Sequence, residues 1–354
     1  MKLLFVQSNK IFKGEYKNMS KLANDTRVFK INPEIDVQNV RFPNRYGFTL
    51  AGHLYLPLNF DDTKKYQTIV ISGPFGAVKE QSSGLYAQTL AENGFVTLVF
   101  DQSTTGESSG SVRNVASPDI FVEDFSAAVD FVGLQKFVDR DKIGAIGICG
   151  LGSHVLTAAS VDVRIKAVAT SVMYDMSDSM WMGLNNSKTE KQREIEKKTL
   201  AEQRWADAEN GTPATGLHEL PFDENDKPMQ SSVLFPETLP DGADSVTTEF
   251  FNYYRGRAFH PRSVNSASAW TATSPLSYYN FPLQAHIDKI SPRPVLIVTG
   301  EKAHSRYMAE ESYNRLNDPK ELVIVPGATH TDLYDQMNLI PFDKFTSFFK
   351  KNLE

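Results

Sequence analysis

The stretch Ile143-Gly-Ala-Ile-Gly-Ile-Cys149-Gly-Leu-Gly152 decides the fold. A β-rich apolar run leads into Cys149, and a glycine-rich segment typical of a helix start follows it. Glycines beside a sharp strand-to-helix turn remove clashes with Cβ atoms, so this composition predicts a nucleophile turn at Cys149. The N-terminus of the following helix is expected to favour the thiolate over the thiol.

A second interpretation of this turn stays open. Leu151 stands where a second glycine is usual, and the spacing is therefore G-x-C-x-x-G. A cysteine also packs well as a small apolar residue inside a sheet protein. The turn alone does not separate these two interpretations, and the rest of the chain has to decide.

Apolar strand candidates alternate with helix candidates on both sides of the turn. An alternating series of this kind predicts an α/β fold with a doubly wound, mostly parallel sheet. The alternation is preceded by a predicted hairpin at 35–56 and interrupted by about a hundred polar, Met- and Tyr-containing residues, which indicate a helical cap insertion. The predicted units are an N-terminal arm at 1–30, core at 31–171, cap at 172–280 and core at 281–354.

Composition narrows the function. The chain has 354 residues, of which 41% are hydrophobic and 23% charged, with a net charge of -6 and one cysteine. This balance is typical of a globular protein and gives no basic surface for nucleic acid. A single cysteine permits no internal disulfide, and no apolar run is long enough for a membrane span, so we expect a cytoplasmic protein. Met19 is an alternative start, and a homo-oligomer is left open.

His330 is the candidate general base. It follows the last predicted strand in Pro326-Gly-Ala-Thr-His330, the position at which a nucleophile-turn enzyme carries this residue. Its near-neutral pKa suits taking a proton from a thiol and returning it. Glu301 is the first choice for the acid that orients His330, and Asp332 and Asp175 are the alternatives.

The loop Ser72-Gly-Pro-Phe-Gly76 is expected to face the nucleophile turn. An oxyanion hole combines an N–H of this loop with the N–H after the nucleophile. Because Pro74 has no N–H, Phe75 and Gly150 are the predicted donors. Asp101, after the next strand, is interpreted as a structural carboxylate that holds a turn.

Together these residues resemble a known family. The chain is similar to the cysteine-nucleophile branch of the α/β-hydrolase superfamily, near dienelactone hydrolases and bacterial homologues of fungal polyketide transferases. The resemblance covers roughly residues 31–353 and is carried by these segments: 78–81, 106–110, 122–125, 147–149, 203–205, 260–262, 291–294, 300–307 and 330–335. It implies a Cys–His–acid apparatus, and Glu80 is a candidate auxiliary residue by analogy with dienelactone hydrolases.

The predicted function is hydrolysis of an ester, lactone or thioester bond through an acyl-enzyme on Cys149. The expected partner is a small acyl substrate, with no cofactor, metal, nucleic acid or membrane. Two alternatives remain: an acyltransferase that passes the acyl group to an alcohol, and a hydrolase-fold binding protein that has lost catalysis. The Met- and Tyr-containing cap favours the first alternative if it excludes water, and Ala303, at a position where aspartate is usual, favours the second.

Overall fold

The computed structural model describes residues 19–22, 24–229 and 231–354. The proposed arm at 1–30 therefore lies largely outside the described residues. Within them, one large sheet contains nine strands in the order β1-β2-β3-β5-β4-β6-β7-β10-β11, and a short ribbon pairs β8 with β9. The strands are β1 Met19–Lys21, β2 Val37–Pro43, β3 Thr49–Tyr55, β4 Tyr66–Ser72, β5 Val96–Phe100, β6 Val138–Ile148, β7 Ala167–Ser171, β8 Thr215–Gly216, β9 Trp270–Thr271, β10 Val295–Gly300 and β11 Lys320–Val325.

Helices connect and cover these strands. They are α1 Ser82–Glu92, α2 Pro118–Gly133, α3 Leu151–Val161, α4 Met176–Met182, α5 Glu190–Asn210, α6 Ser245–Phe251, α7 Val264–Ala267, α8 Pro275–Tyr279, α9 Arg306–Arg315, α10 Asp332–Asp335 and α11 Phe342–Asn352, with a π-helical turn at Asn252–Arg257 and 3₁₀ turns at Leu184–Asn186 and Ile287–Ile290.

Parallel pairing dominates the sheet. The neighbours β5-β4, β4-β6, β6-β7, β7-β10 and β10-β11 run parallel, whereas β1, β2 and β3 pair antiparallel and β3 joins β5 antiparallel. The predicted hairpin is the β2-β3 pair. The mostly parallel, doubly wound sheet predicted from the alternation is thus confirmed.

Alternation along each strand sends side chains to two cores. In β4, Val70 packs in the core beneath α2 and α3, while Ile69 and Ile71 pack in the core beneath α1 and α11. Successive strand residues point to opposite faces, so a strand buried on both sides reads as a continuous apolar run. This double burial holds the carboxyl ends of β4, β6, β10 and β11 together at one edge.

Candidate active site

The turn after β6 is the sharp turn that the sequence predicts. Cys149 has φ +54°, a conformation that a residue with a side chain adopts at a cost and that is common at functional turns. Glycine is required at position 147, because a Cβ on Gly147 would lie 2.2 Å from the carbonyl oxygen of Leu151. The N–H of Cys149 donates to Ser171 of β7 at 2.9 Å, which fixes the turn against the sheet.

The sulfur of Cys149 faces both predicted oxyanion donors. The backbone N–H groups of Phe75 and Gly150 interact with it, and so does the hydroxyl of Tyr334. Burial nevertheless outweighs these interactions and raises the pKa of the thiol to about 11. The N–H of Gly150 at the helix N-terminus does lower the pKa, as the sequence predicts, but desolvation of the charged form is the larger effect.

His330 follows β11 and is completely buried. Its Nε2 lies 3.0 Å from the hydroxyl of Tyr334, and its Nδ1 lies 2.8 Å from Oγ of Ser305. Between the described residues Cys149 and His330 no direct hydrogen bond is present. Tyr334, on α10, hydrogen-bonds to Nε2 of His330, and its hydroxyl also lies near the sulfur.

Burial also controls the charge of His330. It lowers the pKa of the imidazole well below its usual value, and the neighbouring His304 lowers it further. The two imidazole rings are stacked, with centroids 4.7 Å apart. The hydroxyl of Tyr174 hydrogen-bonds to Nε2 of His304, and the carboxylate of Glu249 on α6 lies 3.2 Å from Nδ1 of the same ring. A neutral imidazole is thus the resting form of His330.

Glu301 does not orient His330 in this structure. It is exposed, and its Oε2 accepts the N–H of Gly327 at 2.7 Å. The alternatives are engaged elsewhere too, since Asp332 accepts the N–H of Thr329 and Asp175 caps α4. The acid expected from the sequence is replaced at Nδ1 by the hydroxyl of Ser305, because that side chain lies at the start of α9 beneath the imidazole.

Glu80 also lies outside the site. Its Oε1 is 2.8 Å from Nζ of Lys79 and 2.8 Å from the guanidinium of Arg262, so it belongs to a buried ion network. Asp101 completes that network by accepting N–H groups of Lys79 and Glu107 at 2.8 and 2.9 Å. The structural role predicted for Asp101 is confirmed, and no auxiliary contact of Glu80 with the sulfur is seen.

A cavity of 190 Å³ opens beside the sulfur. Its walls are mostly apolar or aromatic and come from the turns after β4 and β6, from the segment between β7 and β10, and from α10. They are lined by Phe75, Cys149, Tyr174, Met176, Leu184, His218, Glu219, Leu234, Phe235, Val246, Phe250, Tyr254, Asn265 and Tyr334. Among the residues that the structure describes, no group of three His, Cys, Asp or Glu side chains is arranged for a metal ion, and no helix is long and apolar enough to cross a bilayer.

Sequence reasoning missed Tyr334 and Ser305. Tyr334 had a usable signal, because it lies four residues after His330, and side chains at that spacing meet on one face of a helical turn. For Ser305 the sequence gives no signal beyond its place in the loop after β10, where a carboxylate is the expected partner.

Comparison with known proteins decides the family. The model of the X-Pro dipeptidyl-peptidase (S15) family matches residues 47–332. The chain belongs to this family. It is an α/β-hydrolase family, so the superfamily resemblance drawn from the sequence is confirmed, and the chain is a hydrolase-fold enzyme of the hydrolytic or acyl-transferring kind.

Individual relatives agree with this assignment. The Pseudomonas aeruginosa protein PA2218 is 52% identical over 328 residues, which cover 92% of this chain and 84% of that protein, and its crystal structure matches with a TM-score of 0.86. The α/β hydrolase GrgF from Penicillium is similar in fold, with a TM-score of 0.71 at 19% identity over 90% of this chain and 99% of that one. Thiohydrolase aneE of Aspergillus aculeatus is 32% identical over 39% of this chain and 42% of its own length. Polyketide transferase af380 of Aspergillus fumigatus is likewise 32% identical over 37% of this chain and 43% of its own length.

Proposed function

We propose that the chain cleaves thioesters or activated esters through an acyl-enzyme on Cys149, with His330 as the general base acting through Tyr334. The observation that carries the proposal is the position of the sulfur, which lies near the backbone N–H groups of Phe75 and Gly150 and near the hydroxyl of Tyr334. An acyl carbonyl placed between sulfur and N–H groups satisfies the geometry of nucleophilic attack.

The first step forms the bond between the sulfur and the acyl carbon. As it forms, the thiol proton passes to the Tyr334 oxygen while the phenolic proton passes to Nε2 of His330. The carbonyl oxygen becomes an oxyanion held by the N–H groups of Phe75 and Gly150. Collapse of this intermediate breaks the bond to the leaving group, which receives the proton from His330 by the reverse path.

Water then attacks the acyl carbon and gives a proton through Tyr334 to His330. The carbon–sulfur bond breaks, the proton returns to the sulfur by the reverse path, and the free acid leaves. Ser305 fixes the tautomer in this scheme, because Nδ1–H donates to its Oγ and leaves Nε2 free to accept. The low pKa of His330 makes it a weak base, which favours substrates with good leaving groups such as thiols over peptides.

Intact-mass spectrometry after brief exposure to a panel of acyl thioesters and activated esters tests this proposal. We expect an adduct of the mass of the acyl group on the wild-type chain and none on Cys149→Ala. Equal turnover by both proteins would refute the role of Cys149. A wild-type chain that is folded but never acylated would refute the proposal and favour the binding-protein alternative.

Acyl transfer to an alcohol is the second candidate. The apolar walls of the cavity and the 7% exposure of Cys149 limit the access of water to an acyl-enzyme. The name of the relative af380, a polyketide transferase, points the same way. Product analysis with and without added alcohols separates the two, since a transferase yields ester at the expense of free acid.

A further inference from the structure

The helix α6 lies between two cavities. Val246 and Phe250, which are four residues apart and therefore share a face, line the cavity that contains Cys149, termed the inner cavity. Ser245 and Glu249, on another face, line a cavity of 520 Å³ between α6 and the loop that carries His330, termed the outer cavity. Val246 belongs to the walls of both, so the two cavities adjoin at this side chain.

The outer cavity lies on the side of the base. Thr329 and Thr331, the residues on either side of His330, line it. His304, whose ring stacks on that of His330, lines it too, and the hydroxyl of Tyr174 in the wall of the inner cavity hydrogen-bonds to His304. In the proposed reaction the leaving group receives its proton from His330, so the leaving group belongs on the side of this loop.

The two cavities differ in polarity. The walls of the inner cavity are mostly apolar or aromatic, which suits an acyl chain. The outer cavity is lined by hydroxyl and amide side chains, which are those of Ser245, Asn252, Thr329, Thr331 and Gln336. The basic residues in its lining are Arg257 and Lys302 and the acidic ones are Glu249 and Asp332, so these formal charges cancel. Many hydrogen-bonding groups with balanced charges favour an uncharged polar ligand.

We propose that the outer cavity binds the leaving group of the substrate while the acyl chain lies in the inner cavity. The inference rests on the proposed function and adds the chemical class of the leaving group, an uncharged chain with amide or hydroxyl groups. The substrate passes Val246 where the cavities adjoin, and its acyl carbon lies on the inner side with Cys149. Attack forms the bond from the sulfur of Cys149 to the acyl carbon, the bond to the leaving sulfur breaks, and the leaving thiol takes the proton.

The test compares the butanoyl thioesters of N-acetylcysteamine and pentanethiol, whose thiols are of similar length although only the first carries an amide. The amide preference is the ratio of their kcat/KM values, and comparing this ratio between proteins cancels the difference in leaving-group reactivity. We expect the double variant Asn252→Ala Gln336→Ala, which removes both amide side chains of the outer cavity, to lower the ratio about threefold to tenfold. Asn280→Ala Asn314→Ala, at two exposed asparagines outside both linings, should leave it unchanged.

Two substitutions in the walls test whether the substrate spans both cavities. Val246→Phe fills the place where the cavities adjoin, so it should remove most of the amide preference. Leu184→Phe adds a ring to a wall of the inner cavity that the outer cavity does not share, so it should slow both thioesters alike and keep the preference.

Two results would overturn the leaving-group subsite while leaving the acyl-enzyme intact. The first is an unchanged amide preference in both Asn252→Ala Gln336→Ala and Val246→Phe. The second is a faster reaction of the negatively charged butanoyl thioester of 3-mercaptopropanoate than of the N-acetylcysteamine thioester, because a cavity for an uncharged ligand gives the anion no advantage.

A binding measurement keeps this inference separate from the proposed function. Calorimetry on Cys149→Ala uses the thioether S-butyl-N-acetylcysteamine, which has the same amide chain but no thioester carbonyl. Adding Asn252→Ala Gln336→Ala should weaken binding about threefold to tenfold, and adding Asn280→Ala Asn314→Ala should not. That pattern supports the subsite even if no thioester is turned over, whereas equal binding by all three proteins contradicts it even if the acyl-enzyme forms.

Discussion

Replacing Tyr334 by phenylalanine tests the proton path between Cys149 and His330. The change removes one oxygen, the atom that lies 3.0 Å from Nε2 of His330 and also meets the sulfur. Positioned proton transfer contributes about 10²- to 10⁴-fold to a rate. At about 1.36 kcal/mol for each factor of ten, this corresponds to roughly 3–5 kcal/mol of barrier.

Single-turnover kinetics of thiol release from an acyl thioester isolate the acylation step. We expect Tyr334→Phe to acylate about 10²- to 10⁴-fold more slowly, by the same reasoning. Tyr253→Phe is the matched control, because Tyr253 is 1% exposed and its ring centroid lies 5.0 Å from that of Tyr334, but it does not line the cavity. Its acylation rate should stay near that of the wild type.

An acylation rate for folded Tyr334→Phe within about threefold of the wild type would refute this reasoning, since the expected loss is at least about a hundredfold. Such a result would show that His330 reaches the sulfur directly, as the sequence alone predicts.

Three further experiments test the partner of His330, the pKa of Cys149 and the buried ion network. Ser305→Ala should lower kcat/KM about tenfold, because Nδ1 of His330 loses its hydrogen-bond partner. Glu301→Gln should leave kcat/KM within about twofold of the wild type. A larger loss in Glu301→Gln than in Ser305→Ala would show that the carboxylate orients His330. The rate of Cys149 alkylation by iodoacetamide should rise about tenfold per pH unit from pH 7 to 10, because the thiolate is the minor form below a pKa of about 11. An alkylation rate that is already constant with pH near pH 7 would contradict this. Lys79→Ala should lower the free energy of unfolding in urea by about 3–5 kcal/mol, since it leaves the buried carboxylate of Asp101 without a counter-charge. The exposed Lys64→Ala should change this free energy by less than about 0.5 kcal/mol, and equal small losses would show that the ion network adds little.

The fold was predictable because its signal is local. Each strand buried on both faces appears as a short apolar run, and the helices between them have amphipathic spacing, so the order of elements follows from the sequence. Within the predicted cap, the charged stretch from 187 to about 208 predicts one long helix, and the observed α5, Glu190–Asn210, agrees with it to within three residues at each end. The sequence predicts that Cys149, Phe75 and Gly150 lie together for the same reason, since each belongs to a turn whose composition defines its geometry.

The partners of His330 depend on side-chain direction, which composition does not encode. Glu301 and Ser305 flank the same loop four residues apart, and the carboxylate was the chemically better candidate. The backbone of that loop turns Glu301 toward the N–H of Gly327 and Ser305 toward the imidazole. A difference of a few ångströms in the loop path therefore decides which residue orients the base, and chain order cannot resolve it.

Burial of both reacting groups constrains how the reaction can begin. With the thiol pKa raised to about 11 and the pKa of His330 well below its usual range, a resting thiolate–imidazolium pair is disfavoured. The sulfur must therefore lose its proton while it bonds to the acyl carbon, and the negative charge moves at once onto an oxygen that faces two N–H groups. A phenol suits this step because it accepts from sulfur and donates to nitrogen without becoming charged. The same burial keeps the sulfur a poor target for oxidants and alkylating agents.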